Sequence, residues 1–189
     1  GQNQMWSGQS FHIKRGQRML ISGGMGSMGF SAPAAMGAML SGKGKKGVVI
    51  CGDGGFQVNL QDMDFFVKHK LPVKIILLNN KCLGMVREFQ DMYFGGRRQS
   101  TVKGYTCPNI KKIALAYGFA YHEIKSMKEV DKIIKKVFQM NVPVIVDIKL
   151  GMETSVAPKL LMNRPIEDMS PFLDRKELKE QMIIKPLKN

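Results

Sequence analysis

The stretch that decides the fold is Val48-Val49-Ile50-Cys51-Gly52-Asp53-Gly54-Gly55-Phe56, followed by Val73-Lys74-Ile75-Ile76-Leu77-Leu78-Asn79-Asn80. Each apolar run has the composition of a buried strand, and residues 58–69 between them carry apolar side chains at helical spacing. Such a strand–helix–strand unit is almost always a right-handed crossover with parallel strands. Asp53 and Asn80 then meet at the carboxyl edge of one sheet, where open α/β sheets bind their ligands.

The side chains at these strand ends predict a metal–diphosphate site. Carboxylate and amide oxygens suit a hard cation such as Mg²⁺, which usually completes its octahedron with phosphate oxygens and water. A second glycine-rich turn at 23–29 follows a short apolar stretch at 18–22, which we interpret as another strand. Glycine turns between strand and helix let backbone N–H groups approach phosphates. Neither turn continues into a Walker loop, and the first lacks the acidic ribose-binding residue of a dinucleotide fold, so a different diphosphate is expected.

The rest of the chain alternates helical and strand patterns, which predicts an α/β fold with a three-layer, doubly wound parallel sheet. Further strands are predicted at 119–124 and 142–148. Helices are predicted at 31–40, 83–91, 109–117 and after the Ser126–Glu129 capping box, with Gly42 and Gly44 ending the first of them.

Composition limits the classes of function. The chain has 189 residues and no apolar run near the roughly 20 residues of a membrane-spanning helix, so we expect a cytoplasmic protein with no membrane partner. Its three cysteines show no Cys-x-x-Cys spacing and are interpreted as reduced thiols. The formal charge of +14 includes lysines on the solvent face of one amphipathic helix, and nucleic-acid signatures are missing. We therefore expect no nucleic-acid partner.

The paired motifs resemble those of thiamine diphosphate-dependent enzymes. Gly52-Asp53-Gly54 with Asn79-Asn80 is similar to the motif that binds this cofactor. Four further stretches make the chain resemble the carboxy-terminal domain of acetolactate synthase large (catalytic) subunits, up to about residue 150. These stretches are Gln2 to Trp6, Ser22 to Pro33, Leu71 to Lys74 and Cys82 to Val86.

The resemblance implies a role for individual residues. Asp53, the Asn80 side-chain oxygen and the Cys82 carbonyl would bind Mg²⁺. Met28 would support the bent thiamine diphosphate, and Met85 would lie beside cofactor and substrate. The full implied cofactor-binding set is Gln2, Asn3, Gly26, Met28, Gly52, Asp53, Gly54, Gly55, Asn80, Cys82, Gly84 and Met85.

Two departures from the family pattern bear on the reaction. Phe89, the implied substrate-contacting residue, stands where acetolactate synthases usually have tryptophan, and Asn3 replaces a usual histidine. The family's activating glutamate belongs to a pyrimidine-binding domain of another subunit, and nothing in this sequence supplies it. The resemblance thus implies a 2-oxo acid substrate, a pyrimidine-domain partner and a homo-oligomer.

The predicted domain organisation is a diphosphate- and Mg²⁺-binding domain over 1–150 and a proline-containing arm over 151–189. The abrupt start at Gly1 leads us to expect a fragment. The favoured function is that of a 2-oxo acid decarboxylase or carboligase, a transferase or lyase inactive as this chain alone. Two alternatives stay open: a natural subunit of a split decarboxylase, and a non-catalytic basic binding module.

Overall fold

The computed structural model describes residues 1–42 and 46–187. Its helices are α1 Gln2–Ser10, α2 Ser31–Leu40, α3 Asp53–Val58, α4 Met63–Lys68, α5 Gly84–Tyr93, α6 Ile110–Ala116, α7 Met127–Gln139 and α8 Arg175–Gln181. Its strands are β1 Val48–Gly52, β2 Lys74–Asn79, β3 Ala120–Ile124 and β4 Val144–Lys149. Among these residues, no helix is both long and apolar enough to cross a membrane.

The four strands form one parallel sheet in the order β1-β2-β4-β3. Gly52 pairs with Leu78, so the residues that follow β1 and β2 leave the sheet side by side. This register brings Asp53 and Asn80 to the same edge because parallel strands end on the same side. The prediction of a parallel α/β sheet is confirmed.

Helices cover both faces of the sheet, which gives the predicted three layers. One face packs its side chains against α2, α3, α4 and α6, with Phe66 and Phe119 meeting edge to face at 6.3 Å between ring centroids. The other face packs against α7 through Val137 and its neighbours. The sheet is thus buried on both sides, as parallel sheets usually are.

Two local predictions were wrong. The single helix expected over 58–69 is interrupted: α3 ends at Val58, a 3₁₀ turn spans Leu60–Asp62, and α4 follows. Asn59 breaks the helix because its backbone leaves the helical region (φ −125°, ψ 40°) and its side chain bonds Asp62 at 3.2 Å. The apolar stretch at 18–22 is not a strand, and it pairs with no strand among residues 1–42 and 46–187.

Local chemistry explains the helix ends that were predicted correctly. Ser126 and Glu129 form both bonds of the capping box at the start of α7. Asn109 accepts a bond from the Lys112 N–H at the start of α6. The predicted helix at 31–40 is α2; Gly42 lies beyond its end at Leu40, and Gly44 falls outside the described residues. The opening helix α1 was not predicted.

The chain divides into two compact units, Gly1–Thr154 and the segment from Ser155 onward. Within the second unit, Asp174 caps α8 by accepting bonds from the N–H groups of Lys176 and Glu177. The buried carboxylate of Asp168 accepts a bond from Arg175 at 2.8 Å. The predicted division into a binding domain over 1–150 and an arm over 151–189 stays a prediction about function.

Candidate functional site

A cavity of about 880 Å³ opens in the first unit, along β1 and at the carboxyl ends of β1 and β2. Backbone and side chains from α1, the 11–30 segment, the β1–α3 turn and the start of α5 line it. All twelve residues of the implied cofactor-binding set are on this lining: Gln2, Asn3, Gly26, Met28, Gly52, Asp53, Gly54, Gly55, Asn80, Cys82, Gly84 and Met85. The predicted residues are therefore brought together by the fold.

At the end of β1, Asp53 is the first residue of α3 and is only 1% exposed. Its Oδ2 accepts a hydrogen bond from the Tyr105 hydroxyl at 2.8 Å. Gln57 Nε2 donates to the same hydroxyl at 3.0 Å, which leaves the Tyr105 proton directed at the carboxylate. One carboxylate oxygen of Asp53 is thus held by a tyrosine from the loop after α5.

Burial dominates the electrostatics of this carboxylate. Desolvation raises the pKa of Asp53, and the hydrogen bond from Tyr105 opposes that rise. Desolvation and the nearby Asp53 charge also raise the pKa of Cys107 to about 11, so this thiol stays protonated near neutral pH. A bound cation would stabilise the ionised form of such a carboxylate, because burial has removed the water that would otherwise solvate its charge.

At the end of β2, Asn80 is 6% exposed and its carboxamide is bonded at both ends. Asn80 Nδ2 donates to Gln2 Oε1 at 2.8 Å, and Asn80 Oδ1 accepts from the Cys82 N–H at 3.3 Å. The Nε2 of Gln2 donates to a carboxylate oxygen of Glu88 and, at 2.7 Å, to the Thr154 carbonyl. A continuous hydrogen-bonded chain therefore runs from α5 through α1 to the end of β2.

The preceding residue, Asn79, belongs to a second polar cluster on the sheet, which the Cys107 thiol joins by donating to Asn79 Oδ1 at 3.8 Å. Asn79 Nδ2 donates to Asp147 Oδ1 at 3.0 Å, and the Tyr121 hydroxyl donates to Asp147 Oδ2 at 3.1 Å. Lys149 also bonds Asp147, which is fully buried. Asp147 thus has a partner on each side and fixes the strand that leads to Asn80.

Two glycines keep the space beside these side chains open. A Cβ on Gly84 would overlap Gln2 Oε1 and lie 2.8 Å from Asn80 Nδ2. A Cβ on Gly54 would lie 2.7 Å from Leu83 Cδ2 and 3.0 Å from Met28 Cε. Glycine at both positions allows backbone and ligand groups to approach closely.

The remaining predicted residues take different positions around the cavity. Met28 reaches Gly54 and is half exposed, whereas Met85 packs against Gly1. Asn3 Nδ2 donates to the Ile50 carbonyl at 3.2 Å. Phe89 is not on the cavity lining; it is 42% exposed and packs against Tyr93, with ring centroids 4.7 Å apart and the ring planes tilted by 56°.

Charged partners anchor α5 beside the cavity. Arg87 is 3% exposed and donates to the Thr154 carbonyl at 2.6 Å, with Asp91 and Glu153 each 3.2 Å away. Arg98 joins the same two carboxylates at 2.7 Å. These contacts fix the helix that carries Met85 and Glu88.

The donor chemistry fits a hard cation better than a soft one. Within 1–42 and 46–187, no group of three or more His, Cys, Asp or Glu side chains is arranged to hold a metal ion. The candidate ligands are instead one carboxylate, one carboxamide oxygen and one backbone carbonyl, which suit Mg²⁺ completed by phosphate and water. The glycine-lined space beside Asp53 and Asn80 fits a diphosphate.

Sequence reasoning missed the residues that hold the predicted ligands. Tyr105 bonds the Asp53 carboxylate, Gln57 bonds the Tyr105 hydroxyl, and Glu88 bonds Gln2. Their separations from those partners along the chain, such as 86 residues between Gln2 and Glu88, leave no periodic pattern. One weak signal was available, because a glutamate on the inner side of a helix needs a buried partner.

Residues 1–148 match the family described as thiamine pyrophosphate enzyme, C-terminal TPP binding domain. The chain belongs to this family. Membership confirms the predicted fold class and the predicted cofactor, thiamine diphosphate with Mg²⁺ as its usual metal. The roles of individual residues in this thiamine diphosphate-binding domain stay predictions.

Relatives of this domain carry names of enzymes. It is 38% identical over 148 residues to a probable acetolactate synthase large subunit of Methanocaldococcus jannaschii, covering 78% of this chain and 25% of the relative. It is 34% identical over 160 residues to the acetolactate synthase large subunit of Lactococcus lactis, covering 85% and 28%. The chain therefore spans about a quarter of the length of these relatives.

A solved structure shares the fold. The thiamine diphosphate-dependent 4-hydroxybenzoylformate decarboxylase of Rhodococcus jostii superposes with a TM-score of 0.60 at 24% identity. The match covers 69% of this chain and 24% of the decarboxylase. At this level of identity the likeness concerns the fold alone.

Proposed function

We propose that this domain binds the diphosphate end of thiamine diphosphate through Mg²⁺. Asp53, the Oδ1 of Asn80 and the carbonyl of Cys82 are the protein ligands to the metal. The observation that carries the proposal is the burial of Asp53 and Asn80 at adjacent strand ends on one cavity. A buried carboxylate beside a carboxamide oxygen and a glycine-lined space is the chemistry that a metal diphosphate requires.

In this proposal the diphosphate oxygens lie against Asn3, Gly54, Gly55 and the backbone of Gln2, all of which line the cavity. The side-chain amide of Gln2 is already bonded to Glu88, Thr154 and Asn80. Met28 supports the body of the cofactor from the side of Gly54. At Gly26 and Gly52 the backbone can lie close to the cofactor, because glycine has no Cβ to project into the cavity. Met85 and Gly84, at the start of α5, close the site beside the reacting end.

The reaction that we propose is decarboxylation or carboligation of a 2-oxo acid, of the acetolactate synthase type. Bound thiamine diphosphate supplies the carbanion chemistry, while the protein binds and orients it. Met85 lines the cavity, whereas Phe89, four residues later on α5, lies outside the lining and is 42% exposed, so in our proposal Phe89 contacts only a substrate that extends beyond the cavity. The phenylalanine ring offers the acceptor a smaller apolar surface than an indole would.

The domain is expected to act with a pyrimidine-binding domain of the same or another subunit in a cytoplasmic homo-oligomer. That domain supplies the activating glutamate in our proposal. A natural split enzyme, with the pyrimidine domain on a separate chain, stays an alternative prediction. The proposed site chemistry of this chain is the same in both cases.

The test is calorimetric titration of the chain with thiamine diphosphate in the presence and absence of Mg²⁺. We expect Mg²⁺-dependent binding that Asp53→Ala weakens at least about 30-fold, since truncating one partner of a buried charged contact costs about 2–5 kcal/mol. Asp64→Ala is the matched control, because this aspartate is exposed on α4. Binding that is independent of Mg²⁺, or unchanged in Asp53→Ala, contradicts the proposal.

A further inference from the structure

A chain of buried hydrogen bonds links α5 to the proposed metal ligand at the end of β2. Glu88 is 3% exposed, and Gln2 and Asn80 are 5% and 6% exposed. The Gln2 amide donates to Glu88, and its oxygen accepts from Asn80 Nδ2 at 2.8 Å. Three elements that are distant in sequence therefore meet in one buried polar network.

The polarity of this network follows from the donors and acceptors available. A carboxylate and a backbone carbonyl only accept hydrogen bonds, so both N–H groups of Gln2 are directed at Glu88 and Thr154. The oxygen of Gln2 must then face Asn80, and only the NH₂ group of Asn80 can donate a hydrogen bond to it. This leaves the Oδ1 of Asn80 on the opposite side, next to the Cys82 backbone.

The shape of an amide side chain does not determine which way its oxygen and its nitrogen point. Rotation by 180° exchanges its oxygen and nitrogen at almost no change in shape, so its surroundings decide which atom faces a ligand. An NH₂ group facing a cation would repel it, whereas the oxygen binds it. The direction of the Asn80 amide therefore determines whether this position can act as a metal ligand at all.

We propose that Glu88 is a positioning residue that, through Gln2, orients the Asn80 amide so that its oxygen faces the metal. This inference rests on the proposed function, because it assumes that the Oδ1 of Asn80 is a ligand. In this proposal Glu88 does not contact the metal or the diphosphate. It acts through a relay of two successive hydrogen bonds, from Gln2 to Glu88 and from Asn80 to Gln2. Groups that orient metal ligands commonly change metal affinity by about 10–100-fold.

The test measures the affinity for Mn²⁺ alone, by electron paramagnetic resonance, in variants of the whole 189-residue chain. Glu88→Gln keeps the shape but allows either amide direction, and Glu88→Met keeps the volume but removes the acceptor. We expect affinity about 3-fold weaker for Glu88→Gln and about 10-fold weaker for Glu88→Met. This graded order reflects the amide oxygen that Glu88→Gln can still offer to Gln2, whereas Glu88→Met offers no acceptor and leaves Gln2 with the Thr154 carbonyl alone.

Controls separate orientation from charge and from folding. Asp64→Asn removes the same charge from an exposed position and should leave Mn²⁺ affinity within about twofold of the parent. A side-chain amide NMR spectrum should show faster solvent exchange of the Asn80 NH₂ protons in both Glu88 variants. This readout does not require metal, so it stays informative even if Glu88→Met is destabilised.

The outcomes distinguish this inference from the proposed function. If Asp53→Ala keeps the parent's Mn²⁺ affinity, the proposed metal site is wrong. If Asp53→Ala loses Mn²⁺ while both Glu88 variants bind it like the parent, the metal site stands and the positioning role of Glu88 is overturned. A Glu88 variant with a lower melting temperature but the parent's Mn²⁺ affinity also overturns it.

Discussion

The ends of β1 and β2 hold their candidate metal ligands in different ways. After β1, Asp53 enters a helix directly and receives one hydrogen bond from Tyr105, a residue of an irregular loop. After β2, Asn80 is held at both ends of its amide by Gln2 and by the Cys82 backbone. The charged candidate ligand is thus held by the Tyr105 hydroxyl, with the Cys107 thiol and nearby backbone N–H groups also stabilising its charge, whereas the neutral candidate ligand is held through Gln2 by the buried Glu88.

This difference follows from the symmetry of the two groups. Both oxygens of a carboxylate accept, so Asp53 presents a metal-binding atom whichever way it turns. A carboxamide presents one useful atom and one repelling atom, so its direction has to be enforced. We therefore expect changes on the β2 side to disturb the site by misdirecting a group, and changes on the β1 side to act through charge.

Among the substitutions that leave every candidate ligand in place, the largest expected effect comes from Gly84→Ala, which would force a methyl group onto Gln2 Oε1 and against Asn80 Nδ2. We expect Mn²⁺ affinity to fall by about 30-fold or more, since both tethered amides must move. Gly54→Ala should cost less, because its Cβ meets the flexible ends of Leu83 and Met28. Electron paramagnetic resonance titrations of both variants check this order.

The helical control for these substitutions is Gly8→Ala in α1, which is not on the cavity lining. A Cβ at Gly8 meets no atom within 4 Å, so affinity should not change and stability should rise by about 0.5–1 kcal/mol. Equal losses in Gly84→Ala and Gly54→Ala would contradict the difference between the two strand ends.

Tyr105→Phe tests the tyrosine hydrogen bond on the β1 side, with an expected loss of about 10-fold in Mn²⁺ affinity at neutral pH. Burial raises the pKa of Asp53 and the Tyr105 hydrogen bond lowers it, so removing the hydroxyl raises that pKa further. Protons then compete with the metal at higher pH. The midpoint of a Mn²⁺-affinity profile against pH should move upward, and a fixed or lower midpoint would refute the role of Tyr105.

Asp53→Asn should stabilise the metal-free protein while removing metal binding. Because burial raises the pKa of Asp53 in the folded state, ionisation costs more there than in the unfolded state. The resulting loss of folding stability is absent below the pKa of Asp53 in the unfolded state and complete above its raised pKa in the folded state. We expect a gain on the order of 1 kcal/mol at neutral pH that disappears near about pH 3, measured by urea unfolding.

The reciprocal substitution on the β2 side should act in the opposite direction. Asn80→Asp places a carboxylate against Gln2 Oε1, so that two acceptors face each other without a proton between them. Metal-free stability should fall by about 1–3 kcal/mol at neutral pH. Stabilisation by this change would show that the relay does not constrain position 80.

The features of the fold that were predicted correctly depend on neighbours in sequence. A few neighbouring residues are enough to identify the apolar runs of β1 and β2 and the Ser126–Glu129 capping box. The helix break at Asn59 was missed because an apolar pattern continues through it, and only the local bond to Asp62 reveals it. The stretch at 18–22 was mistaken for a strand because strand propensity cannot show whether a pairing partner exists.

The candidate site divides in the same way. Asp53 and Asn80 could be predicted because each follows a strand and carries oxygen ligands. Tyr105 and Glu88 could not, because their partners lie 52 and 86 residues away and only the tertiary packing of α1, α5 and the following loop brings them together. The sequence thus predicts candidate ligands, whereas their orientation in the structure depends on contacts that no local pattern encodes.

The smallest expected effect is that of Tyr121→Phe, which makes the same chemical change as Tyr105→Phe at a different carboxylate. Tyr121 donates to Asp147 at 3.1 Å, but Asp147 keeps its bonds to Asn79 and Lys149 when that hydroxyl is removed. Stability should fall by about 1 kcal/mol, with Mn²⁺ affinity within about twofold of the parent. A tenfold loss of affinity would mean that the Asp147 cluster also directs the metal site, and that the β2 end depends on a second relay through Asn79.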